Sequence, residues 1–167
     1  MKDLWPKNFE VRDKKSPAMI LQEQASILGS KTQNIVKAEV KFQPPSDVIV
    51  NVRGLSLNAI AEMQKYPFRY DFNIVVPTFH NYQYKLFSIV HNLDYYPLMI
   101  FTEKDFLDEL LNSDLITEIK VEKEGILVDS EEKFVNVLKL ILNSNKIRRL
   151  IKLFLLESST EELSYSN

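Results

Sequence analysis

Two Glu-x-Lys pairs, Glu39-Val40-Lys41 and Glu118-Ile119-Lys120, come nearest to a catalytic pattern in this chain. On a strand, positions i and i+2 share a face, so each pair would set a carboxylate beside an ammonium. A Mg²⁺-dependent nuclease uses such a pair, with a further acid holding the metal and the lysine steering the attacking water. The third acid is missing from both. The segment before the first pair is helical and carries Glu23, and Asp114 stands too close to the second to lie on a separate strand. Lys and Glu alternating on a solvated face give the same spacing without chemistry.

Ser88, His91 and Asp94 contain the residue types of a hydrolytic triad. Three positions apart on a strand, Ser88 and His91 point to opposite faces, which denies them hydrogen-bond reach. His80 and His91 are the chain's two histidines; eleven residues apart, they form no metal-ligand motif even with Asp71 or Asp94 nearby. There is no cysteine, which removes thiol catalysis, Cys-ligated metal and disulfides. The three glycines stand alone, so no Gly-rich loop can cradle a phosphate. No metal site and no cofactor is expected.

What remains is a recognition pattern. Tyr82, Tyr84, Tyr95 and Tyr96 flank hairpin ends together with His80 and His91. Tyr and His offer flat apolar area and a polar tip at low entropic cost, as binding surfaces require. Aromatic residues also simply suit strands. The reading is a non-catalytic, protein-binding module of the accessory, inhibitor or immunity type, using these residues as one exposed cluster at a sheet end. The nuclease-like enzyme is the alternative.

Net charge is −2, which argues against nucleic acid as the partner. Charge is nevertheless segregated. Lys146, Arg148, Arg149 and Lys152 make a basic face near the C-terminus, while 103–132 is rich in acids. The N-terminal sequence lacks an apolar leader run and no segment is apolar enough to span a bilayer, so the expected location is cytoplasmic and off the membrane. Usage of Lys, Asn, Ile and Tyr suggests a bacterial-type, AT-rich coding sequence. A protein partner is expected, and a homodimer is compatible with the same surface.

The elements that must position these residues follow from periodicity. Phe68, Tyr70, Phe72, Ile74 and Val76 alternate with polar residues, predicting a strand over 68–76. Segments 84–91 and 95–101 continue it as a meander, with Pro97 placing the last at an edge or a bulge. Residues 34–42 predict another strand, paired with 48–52 beyond Pro44-Pro45. Ser16-Pro17 opens a helix to about Leu28, stopped by Gly29, with Glu23 and Gln24 facing either solvent or a cleft. A short helix is predicted within 55–66, and another over 103–112, capped by Thr102. Ser130 and Ser144 cap the last two, 131–143 and 145–157. Residues 1–15 form an arm anchored by Trp5, and 158–167 a frayed polar tail. The expectation is one α+β domain, 1–167: an antiparallel meander of about five strands, an N-terminal helix, and two to three C-terminal helices packed on it.

Overall fold

Alternation in β2 (Phe68–Val76) turns its even residues to one side, and the whole strand pairs antiparallel with β3 (Tyr82–His91). This computed structural model describes residues 2–8, 15–44, 56–112 and 120–164, with side chains through 159. The other elements are α1 (Pro17–Lys31), β1 (Lys37–Phe42), α2 (Leu57–Met63), β4 (Leu98–Thr102), α3 (Lys104–Leu111), β5 (Lys120–Glu122), β6 (Gly125–Val128), α4 (Glu131–Leu142) and α5 (Asn145–Ser164). The strands form one antiparallel sheet in the order β1-β2-β3-β4-β6-β5. The α+β class and the helix placement are as the sequence implies. The described residues hold six strands because the acidic segment supplies the short hairpin β5–β6. The predicted strand 48–52 lies outside the described residues, as does Glu118.

One face carries the main core. Phe72 stacks on Phe87 with ring centroids 5.1 Å apart, and Leu21 of α1, Phe134 and Ile141 of α4, and Ile147 and Phe154 of α5 are buried in the same cluster. Register slips between Phe72 and Asn73, leaving Leu86 as an extra residue in β3. This bulge turns both Leu86 and Phe87 toward the helices. On the opposite face α2 packs Ala59 and Met63 against Val90, Met99 and Phe101. β3 is thus covered on both sides along its second half, as its unbroken apolar run requires.

Several local expectations are corrected. α1 passes through Gly29 and stops at Lys31, and the positive φ values fall on Gln33 (52°) and Asn34 (63°). Thr102 remains in β4, its hydroxyl donating to the Leu86 carbonyl (2.8 Å), and Glu103 occupies the α3 N-cap without a side-chain bond. Pro97 precedes β4 rather than lying in it, so β4 is central, between β3 and β6. α5 runs to Ser164, past its predicted end at 157. Trp5 is 76% exposed and does not bury itself as an anchor. Ser16, Ser56 and Ser130 do accept bonds from the third residue beyond them, and Ser144 does so from Ile147. Among the described residues no helix is long and apolar enough to cross a membrane.

The β5–β6 turn fastens α2 to the sheet. Glu62 accepts from Lys65 (2.7 Å) and Lys123 (2.9 Å), and the Ser56 N–H donates to Glu124 (3.2 Å). The two lysine bonds hold the Glu62 carboxyl below its usual range, with burial opposing them. Its contribution is therefore fully present above the unfolded value of 4.5 and is lost as the pH falls through the lower folded value. Both lysines are exposed, which limits the effect. Glu62→Gln should cost about 1 kcal/mol at neutral pH. Urea unfolding at a series of pH values should show wild type and variant converging in acid; a gap that persists there would assign Glu62 another role.

Candidate functional site

The sheet separates the Tyr/His residues that were expected to cluster. His80 sits in the β2–β3 turn and Tyr82 opens β3, whereas His91 closes it and Tyr95 and Tyr96 follow. Nine strand steps from Tyr82 to His91 span about 30 Å. The single surface is therefore corrected to two separate ends. Tyr82 meets Phe154 (5.8 Å) at the turn end. Tyr84 points inward, donating to Glu103 (3.0 Å), and burial followed by that carboxylate raises its phenol. Tyr96 packs toward Phe134 (6.4 Å) with its hydroxyl buried and unbonded, and burial pushes that phenol far up.

His91 stacks beside Phe68 (5.1 Å) and Tyr70 (5.8 Å), while Tyr95 meets it edge-on (5.5 Å). Its Nδ1 lies 2.7 Å from the Asn92 carbonyl, and a carbonyl can only accept, so the proton belongs on Nδ1. Nε2 is buried without a partner. Burial lowers the His91 pKa, against the pull of the Asn92 carbonyl. Ser88 faces the other way, donating to Asp71 (2.6 Å), so the triad is excluded by geometry as by parity.

Register sets Lys41 opposite Asp71 and Glu39 opposite Asn73, so β2, following the Glu-x-Lys strand, supplies an acid on the same face. That acid is committed elsewhere. Asp71 is 6% exposed, takes the Ser88 bond and pairs with Lys85 (3.5 Å). Lys41 donates to Gln83 (2.7 Å), and Lys120 of the second pair salt-bridges Glu122. Among the described residues no three His, Asp or Glu side chains converge to hold a metal ion. On the basic helix, Lys146 is half-buried, bonded to Glu103 (2.6 Å) above the Phe106 ring. Arg148, Arg149 and Lys152 are exposed.

A concave feature of the described residues lies elsewhere. α1 ends at Lys31 and turns through 32–36 into β1, and β6 turns through Asp129-Ser130 into α4. β1 and β6 are four strand spacings apart in the sheet, about 19 Å. Packed helices sit about 8–10 Å apart. Their roots thus lie about twice the packing distance apart, and between α1 and α4 opens a slot of about 760 Å³. Phe72, Ile74 and Leu86 floor it, Leu28 and Leu138 wall it, and Ile147 and Ile151 of α5 border it.

The slot's rims repeat one pattern. Glu23, Ile27 and Lys31 follow each other at i, i+4, i+8 on α1, and Glu131, Val135 and Lys139 do so on α4. Ile27 and Val135 are 44% and 45% exposed. β1 and β6 run in the same sense, and each helix returns against its strand, so the acids share one end of the slot and the lysines the other. Lys15 pairs with Glu23 (2.6 Å) at the acidic end. Glu23 and Gln24 resolve as cleft residues. The matching rows could have been read as helical spacing; that they face each other depends on the sheet order.

The chain matches no family model, no curated protein and no solved structure.

Because the His91 pKa is lowered, the stability tied to its neutral form is complete above the unfolded value of 6.5 and falls as the pH drops from there toward the folded value. His91→Phe keeps an aromatic ring and removes the titration. Denaturant unfolding between about pH 7 and 5 should slope for wild type and flatten for the variant. An NMR titration placing His91 at or above 6.5 would contradict the neutral assignment.

Proposed function

We propose that the protein is a non-catalytic binding module that takes an amphipathic helix of a partner protein into the slot between α1 and α4. The observation that carries this is the slot itself, about 760 Å³ and bordered by α1 and α4. The strands that root α1 and α4 lie about 19 Å apart, so helices held above them would leave room for one more helix in packing contact with both. A helix about 10 Å across, half sunk over three turns, occupies roughly 600 Å³, which the slot can supply. The half-exposed Ile27 and Val135 and the charged rows outside them match the apolar stripe and charged flanks of such a helix. A small ligand deep in the slot would leave those rims uncovered. This retains the protein-partner reading and moves its surface from the tyrosines to the helices.

The test places a photo-crosslinking side chain at position 27 or 135 of the tagged protein. Crosslinked partner peptides should map to an amphipathic helix. Ile27→Asp/Val135→Asp should weaken capture by about 30-fold, the scale of losing a central contact. Both positions are exposed, so the variant should keep its fold with little change in stability. A partner kept by this variant and lost by Tyr95→Ala would move the site to the aromatic end.

A further inference from the structure

The protein carries a helix complementary to its own slot. On α5, Arg149, Leu153 and Glu157 stand at i, i+4, i+8, and all three are exposed. Leu153 is 51% exposed on a helix whose other side buries Ile147, Phe154 and Ser158. The order base–apolar–acid is the inverse of the acid–apolar–base order on both rims. Eight residues cover about 12 Å of helix in each case, so the spacings coincide.

We propose that the slot is filled by α5 of a second copy of this chain, a step that rests on the slot being a helix site. The incoming α5 runs parallel to α1 and α4. It sets Arg149 beside Glu23 and Glu131, Leu153 between Ile27 and Val135, and Glu157 beside Lys31 and Lys139. An antiparallel α5 would set like charges together at both ends. Among the described residues Lys31, Lys139, Arg149 and Glu157 form no ion pair. Each α5 also borders the slot of its own chain through Ile147 and Ile151. One two-fold axis can therefore seat both outer α5 faces at once, giving a closed, isologous pair with no edge left to polymerise. α5 stays packed in its own chain, and only its outer face is shared.

The experiment is charge reversal with rescue, read by sedimentation equilibrium on the full chain at up to about 100 μM. Wild type should be a dimer. Arg149→Glu/Glu157→Lys on α5, and Glu23→Lys/Lys31→Glu with Glu131→Lys/Lys139→Glu on the two rims, should each weaken it by about tenfold or more. Combining the α5 reversal with the reversal of both rims in one chain should restore it, which general loss of fold cannot do. Leu153→Asp provides a variant that leaves the rims untouched and should also yield monomer. A monomeric wild type overturns the self-pairing and leaves the partner-helix reading to its crosslinking test. A dimer indifferent to these reversals, or one the combined variant fails to restore, also overturns it.

Discussion

The short links from α1 to β1 and from β6 to α4 constrain one whole face of this protein. Each helix is tied to its strand by only a few residues, so the strand positions dictate where the helices lie. With β2, β3 and β4 between those strands, α1 and α4 are rooted about twice the packing distance apart, and among the described residues α5 borders the gap through Ile147 and Ile151. The half-exposed Ile27 and Val135 follow from this spacing. Each has the composition of a helix–helix contact, and the facing helix is too far away to make it.

The opposite face solves its burial differently. α2 is a short helix and covers only the half of the sheet around Val90, Met99 and Phe101. The other half is polar, and several of its groups pair within the sheet: the buried Ser88 on Asp71, Asp71 on Lys85, and the exposed Lys41 on Gln83. Neutralised and hydrogen-bonded, this network fits the usual treatment of buried polar groups. Three side-chain atoms escape that treatment: Arg69 Nε on β2, and His91 Nε2 and Tyr96 Oη at or just beyond the end of β3. There the aromatic packing of Phe68, Tyr70 and Tyr95 leaves His91 no room for a second partner.

Local patterning carried the sequence reading wherever one element's own burial decided the matter. β2 showed its period of two, and the Ser caps of α1, α4 and α5 were visible because each needs only a side chain and an N–H three residues on. Readings that depended on distant pairing went astray. Tyr82 and Tyr95 are both hairpin-end residues, but adjacent turns of a meander lie at opposite ends of the sheet, which parity alone does not reveal. Thr102 looks like a cap until its hydroxyl is claimed by Leu86 across the strand. The slot needed the strand order most of all: nothing in the sequence of α1 or α4 says that four strand spacings separate their roots.

Magnitudes bear on what can occupy the slot. Burying one aliphatic side chain contributes about 1.5–3 kcal/mol, while association costs roughly 4–15 kcal/mol. Leu153 alone, set between Ile27 and Val135, would not repay that cost in a single contact. Two equivalent contacts formed together double the apolar gain against one loss of translational freedom, which is why closure about a two-fold axis suits an occupant with so few anchors. Pairing of this kind stays weak and concentration-dependent. A partner helix with apolar side chains on successive turns would bury Phe72, Ile74 and Leu86 as well as the rims. It would bind more tightly than α5 and displace it, so the proposed self-pairing and partner binding would compete for the same apolar surface.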